Sequence, residues 1–197
     1  MKRLFSTFAL IIALVIPALS FASTWTIDPD HSTVGFKIRH LMVSNVNGRF
    51  ETYKGTIDVN DTDITKSKVE VTIDAASINT NVQKRDEHLR SPDFFDASKF
   101  PKLTFVSKGI SKKGPDGLLV TGDLTIHGVT KEVVLDVAEL TTESKDPWGN
   151  IRRGATATTK INRKDYGLLW NAALETGGVL VGDEVTITLE VEMIKGK

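Results

Sequence analysis

Three ionisable side chains stand in a row at Asp86-Glu87-His88, types suited to general acid–base work. Their spacing argues against it. Adjacent helical residues project about 100° apart and do not converge on one reacting atom. They read instead as a solvated face, with ion pairs among Arg85, Asp86 and Arg90. Histidine offers a second chemistry, metal ligation. His31 and His40 are separated by an odd number of positions and so face opposite sides of an unbroken strand. His88 falls on a predicted helix and His127 in a predicted turn, with no HxH or HExxH spacing among the four. No Gly-x-Ser-x-Gly elbow, phosphate-cradling loop or dinucleotide fingerprint occurs. No catalytic residue, metal site or cofactor is therefore assigned. An enzyme using His88, His31 or Asp86 as acid or base is carried as the alternative.

The element that would position His88 lies within residues 79–105, the one stretch without strand-like alternation. Thr80 with Gln83 three residues on forms a capping box, and Pro92 should end the helix at about Arg90. Ser91-Pro92 predicts a second, shorter turn of helix through Phe95. Val82 and Leu89 share one face of the first helix, a stripe too thin to hold it alone, so it must lie against a sheet. Phe94, Phe95 and Phe100 are too many aromatics for an exposed loop. They either plug one end of the fold or line the entry to a cavity.

The rest alternates with the period of half-buried strands. Val34, Phe36, Ile38 and His40 share one face, with Leu41-Met42-Val43 continuing the strand and Asn45–Gly48 as turn material. Phe50 through Val59 follows with Gly55 as a bulge candidate, then a solvated turn at Asn60–Asp63. Val69, Val71 and Ile73 alternate, as do Leu103 with Phe105, Val120 with Leu124 and Ile126, and Val133 with Leu135 and Val137. A small-residue strand runs from Ala155 to Ile161, and after a long glycine-containing excursion come Val185, Ile187, Leu189, Val191 and Met193. About eight strands with short connections imply an antiparallel, all-β fold. A closed barrel with a helical insertion at about residues 80–95 hides every apolar face and every edge; a two-sheet sandwich fits the alternation equally well.

Lys2 and Arg3 precede an uncharged apolar run from Leu4 to Leu19, which ends at Ser20-Phe21-Ala22. This predicts a cleaved export signal over residues 1–22 and one domain over 23–197. The absence of cysteine excludes disulfides and thiolate ligands, and suits a periplasm. With 25 basic and 25 acidic residues overall, loss of Lys2 and Arg3 leaves a slight acidic excess. No basic field invites nucleic acid or an anionic bilayer, and no stable membrane insertion is expected once the signal is gone.

The chain resembles the YceI-like, polyisoprenoid-binding family of exported, lipocalin-like bacterial proteins. The resemblance rests on His31-Ser32-x-Val34-x-Phe36-x-Ile38-x-His40-Leu41, Arg85-Asp86-x-His88-Leu89-Arg90-Ser91-x-Asp93-Phe94-Phe95 and Phe100-Pro101-x-x-Thr104-Phe105. Gly122 through Lys131, Asp146-Pro147-Trp148-Gly149 and Asn162 through Leu168 extend it. It implies a barrel that holds an isoprenoid or other long-chain amphiphile, such as a polyprenyl phosphate or a quinone tail, in the periplasm.

Candidate lumen residues are Phe36, Ile38, Val71, Ile73, Leu103, Phe105, Leu124, Ile126, Leu135, Ile187 and Leu189, although alternation alone does not separate a lining from a filled core. Phe94, Phe95, Trp148, Leu169 and Trp170 are mouth candidates, and Arg85, Arg152, Arg153 and Arg163 are head-group candidates. A carrier, a lipid-modifying enzyme and a ligand-free interaction module with a solid core all remain on the table, and a homodimer is compatible with the sequence.

Overall fold

Alternating sequence makes strands; the shape of this fold comes from where three of them break. The computed structural model describes residues 22–196 except Asp116 and Thr176. The expected export signal lies outside the described residues apart from Ala22, which begins the first strand. The strands are β1 (Ala22–Ile27), β2 (Thr33–His40), β3 (Ser44–Phe50), β4 (Tyr53–Asn60), β5 (Lys68–Asp74), β6 (Ile78–Asn79), β7 (Lys102–Lys113) and β8 (Gly117–Ile126). They continue with β9 (Val129–Leu140), β10 (Ser144–Lys145), β11 (Ile151–Asn162) and β12 (Val181–Lys195), and the α-helix α1 is Gln83–Arg90.

Strands β1 and β2 run one after the other along β12. Trp25–Ile27 oppose Lys195–Met193, and Thr33–His40 oppose Glu190–Val181. Between them a 3-10 turn, Pro29–His31, is capped by Asp28, whose carboxylate accepts from the Asp30 N–H. Strands β3 and β4 likewise follow one another around a corner, and β5 and β6 are separated by the 3-10 turn Ala75–Ser77, capped by Asp74. With each broken pair taken as one strand, eight antiparallel strands run up and down in chain order. The ladder between β11 and β12, from Arg152–Ile194 to Asn162–Glu184, closes the ring. The barrel, not the sandwich, is the architecture; β10 is a two-residue spur on β11.

At the upper end β6 pairs with β3 alone, and its other edge is met by the helix. Arg90 donates to the carbonyls of Ala76 (2.6 Å) and Ile78 (2.8 Å), and Arg85 donates to that of Thr80 (2.8 Å). Unpaired strand carbonyls are thus satisfied by guanidinium groups.

Several local expectations give way here. Asp86 is buried, not solvated: its Oδ1 accepts from both the backbone N–H (2.9 Å) and the hydroxyl (2.5 Å) of Thr80. That use of the Thr80 hydroxyl replaces the capping box, so α1 starts at Gln83 behind Val82, which caps nothing and is exposed. No second helix forms after Pro92; Ser91–Phe95 is a run of turns in which the Phe95 N–H bonds the Leu89 carbonyl (3.0 Å). Asn45–Gly48 is strand, and the turn sits earlier, at Leu41–Val43. Gly55 is no bulge: it pairs in register with Val71, and a Cβ there would meet Ile27 at 2.6 Å. His31 belongs to the 3-10 turn, so its face relative to His40 is not set by strand parity.

Trp25, fully buried with Val59 and Met193, packs the lower end. In the upper wall two phenylalanine rings lie over glycines of the neighbouring strand. A Cβ on Gly48 would stand 2.3 Å from the Phe36 ring, and one on Gly122 would stand 2.5 Å from the Phe105 ring. Each ring is laid along the wall. Gly48→Ala should therefore push Phe36 off its seat and cost about 1–3 kcal/mol. Thermal unfolding checks this, with a midpoint several degrees below that of the unaltered protein as the expected result.

Candidate ligand-binding site

The inward faces of the strands do not meet across the barrel axis. They enclose a cavity of about 440 Å³ with an almost wholly apolar lining. It is bordered along β12 from Val181 to Met193, a span of roughly 40 Å of strand. With strands tilted by about 35–45° that corresponds to roughly 30 Å along the axis, so the space is a long, narrow bore.

The structure brings most of the sequence candidates to this bore. Phe36 and Ile38 reach it from β2, Val71 and Ile73 from β5, Leu103 and Phe105 from β7, Leu124 and Ile126 from β8, Leu135 from β9, and Ile187 and Leu189 from β12. Phe94, Phe95 and Trp170 border its upper end. Trp148 does not belong there. It is 81% exposed at the opposite end, in the loop before β11, where its backbone N–H bonds Asp146. Leu169 is also turned to solvent, although its neighbour Trp170 is not.

Residues not singled out from the sequence also line the bore, among them Val34, Val120, Leu140 and Val185. The parity of their own strands points to most of them. Ile110 is different: a bulge between Ser107 and Gly109 reverses the alternation of β7, so an even-numbered residue continues the face begun by Leu103 and Phe105.

Polar groups enter this lining at its ends. At the upper end His40, Arg85, His88 and Arg163 border the cavity. The His88 ring meets Phe94 and Trp170 edge-on, with centroids at 5.0 and 4.8 Å, and its Nε2 lies 2.8 Å from the Asp93 carboxylate. That pair can hold a proton at the mouth. Asp86, spent on Thr80, has no part in it; the Ser91 hydroxyl donates to the His88 backbone carbonyl (2.7 Å), not to its ring. Arg163 is 2% exposed and its donors are already used. It donates to the carbonyls of Gly182 (2.8 Å), Trp170 (2.9 Å) and Leu168, folding the loop after β11 over the barrel end. Burial pushes its pKa down, and the nearby Asp183 carboxylate (3.6 Å) works against that. Arg85, by contrast, keeps part of its surface exposed. At the lower end Arg153 borders both the bore and an outer groove whose rim includes Asn60, Asp61, Lys112, Glu143 and Lys195.

Arg152, the remaining head-group candidate, does not reach the cavity. It bridges Asp28 (2.6 Å), Asp146 (2.7 Å) and Glu192 outside the barrel, where His31 Nδ1 lies 2.9 Å from Asp28. Ligand atoms of Asp28, His31 and Glu192 come within 4.8 Å of one another, but the cation between the two carboxylates is the Arg152 guanidinium.

A closed up-and-down barrel with an apolar bore is the architecture of the lipocalin-like binding proteins. Within that class the chain belongs to the YceI-like domain family, whose model matches residues 25–193. A UPF0312 protein of Vibrio parahaemolyticus is 40% identical over 169 residues, covering 85% of this chain and 88% of the relative. The crystal structure of the Campylobacter jejuni YCEI protein is 37% identical with a TM-score of 0.68, over 86% of this chain and 96% of that one. A polyisoprenoid binding domain from Saccharophagus degradans shares the fold at 16% identity, with a TM-score of 0.63 over 87% and 98% of the two chains.

The Arg152 cluster generates a pH prediction. Hydrogen bonds from Arg152 hold the Asp28 and Asp146 carboxyls below their ordinary range. Their contribution to stability is therefore present above about pH 4 and is lost as pH falls through the lowered values. His31 runs the other way: Asp28 raises its pKa, so its share is complete in acid and fades as pH rises through the raised value. Arg152→Ala should lower the thermal midpoint at neutral pH, and the gap from the unaltered protein should narrow below about pH 4. Melting curves followed by circular dichroism across that range measure it.

Proposed function

We propose that this protein is a non-catalytic binding protein for a long-chain amphiphile, an isoprenoid lipid such as a polyprenyl phosphate or a quinone, and that it works in the periplasm. The observation that carries the reading is the narrow apolar bore. A folded chain of this size rarely leaves such a space inside; interiors are ordinarily packed to the density of organic crystals. Family membership supports the reading, as does the polyisoprenoid binding named for the Saccharophagus degradans domain. The location rests on the apolar run behind Lys2 and Arg3 and on the absence of cysteine. Among the described residues no helix is long and apolar enough to cross a membrane.

The energetics favour the tail over the head. Each buried methylene contributes roughly 0.8 kcal/mol, whereas a partly solvated charge contact at either mouth adds about 1 kcal/mol at most. A tail filling the bore sets the affinity. Arg85 and His88 above, or Arg153 below, orient the head, and a range of head groups is tolerated.

A second reading is favoured by the His88–Asp93 pair, which could exchange a proton with a head group at the upper mouth. The two separate cleanly. Organic extraction and mass spectrometry of protein purified without detergent should recover a long-chain amphiphile from the unaltered protein and from Arg152→Ala. Phe36→Asp and Ile38→Asp should carry none, since each buries a carboxylate in the bore; equal lipid in all four folded proteins refutes the lumen assignment. Incubated with the extracted lipid, the protein and His88→Ala should both return it chemically unchanged. A product formed by the first and not by the second would make it an enzyme.

A further inference from the structure

The two ends of the bore differ in what surrounds them. The lower rim is polar, with Asn60, Asp61, Lys112, Glu143 and Lys195 around the groove; Trp148, at that end, stands singly beside Asp146 and Asn150. Around the upper mouth, beyond the His40, Arg85 and His88 that border it and the Arg39 guanidinium that donates to the Met42 carbonyl (2.9 Å), are Leu41, Met42 and Val43, which are 38%, 44% and 74% exposed, and Leu169, 64% exposed. Leu41 to Val43 make the β2–β3 tip, and Leu169 belongs to the loop that the tip meets. The Leu41 N–H bonds the Leu180 carbonyl (2.8 Å), and a Cβ on Gly178 would touch Met42 at 3.7 Å, so the β2–β3 tip rests on the loop that carries Leu169. The patch also adjoins the bore, since the cavity is bordered by His40 and Trp170, each next in sequence to an exposed apolar residue, and by Leu180, whose carbonyl accepts from the Leu41 N–H.

The backbone of the tip is an independent sign of function. Leu41 and Met42 have φ of 52° and 59°, and the turn is closed by the Val43 N–H on the His40 carbonyl (3.1 Å). A turn with two left-handed central residues is the natural place for Asn-Gly. Large apolar side chains there are strained, and strain of this kind concentrates at functional sites. The tip gives up local stability and solubility to carry leucine and methionine.

We propose that the upper rim, formed by Leu41, Met42, Val43 and Leu169, is a docking surface for a lipid bilayer, through which the bore is loaded and emptied. This rests on the lipid-binding reading above: a ligand whose tail fills the bore is barely soluble and resides in a membrane, so the mouth that meets it must leave water with it. With 25 basic and 25 acidic residues the chain has no net positive charge to draw it to anionic lipid, so docking is apolar, shallow and reversible.

The test uses neutral phosphatidylcholine vesicles, a fluorescent polyene fatty acid as probe, and two variants, Leu41→Asn/Met42→Gly and Leu169→Ser. None of the three positions borders the bore, and Asn-Gly suits the turn, so the first variant should melt no lower than the unaltered protein. Both variants should bind the free probe in solution within about twofold of the unaltered protein, while cosedimentation with vesicles and transfer of the probe out of them should fall about tenfold. The unaltered protein should bind vesicles as well at about 0.5 M salt as at low salt. Equal cosedimentation and transfer by all three proteins, or no vesicle binding by any, overturns the proposal. So does a loss of self-association in the variants with vesicle binding intact, which would make the rim a contact between two copies. The cargo reading fails on a different result: absence of probe binding in solution, whatever the vesicles show.

Discussion

Because β12 is hydrogen-bonded along both edges, to β11 on one side and to β1 and then β2 on the other, the sheet closes on itself, with the outer edge of β6 left for the helix to meet. The remaining structure follows from that closure. A ring of eight strands has a circumference that side chains can only just fill, and here they do not fill it. The apolar faces hide from water by facing one another across a gap, which leaves van der Waals contacts unmade in the empty barrel. An alkyl thread restores those contacts. The physical cost of the hollow and the affinity for a ligand are therefore the same quantity seen from two sides.

The upper end shows how a broken barrel is kept intact. Once β6 leaves β5, its carbonyls have no strand to face. Arg90 takes that of Ile78 and Arg85 that of Thr80 just beyond the strand, and the buried Asp86 ties the start of the linker back to the helix. Arg163 performs the same task for the loop after β11. The ionisable residues most suggestive of chemistry in this part of the chain are largely occupied with holding backbone in place. His88 alone faces the bore with its ring orientation set by Asp93 and two aromatic neighbours.

The strands and their inward faces were legible in the sequence because a half-buried strand has a period of two and leaves its mark residue by residue. The bore itself was not, since Phe36 or Leu124 alternates in the same way whether or not a partner meets it across the axis. Long-range polar pairing was also hidden. Nothing near Asp86 in sequence marks it as buried against Thr80, and Arg152 finds Asp28 more than a hundred residues away. The β2–β3 turn was misplaced for a plainer reason: Leu41-Met42 carries none of the residues that mark a turn, while Asn45–Gly48 carries several and is strand.

The rings laid over Gly48 and Gly122 separate the calibre of the tunnel from the number of strands that enclose it. Diameter in a closed sheet ordinarily changes by whole strands, a coarse step that rebuilds the fold. Here a methyl added at Gly48 meets only side chains and displaces the Phe36 ring, whereas one added at Gly122 also meets the Val106 carbonyl at 2.6 Å and so disturbs the ladder. The width of the bore beside Gly48 is thus set by one ring and not by the strand count.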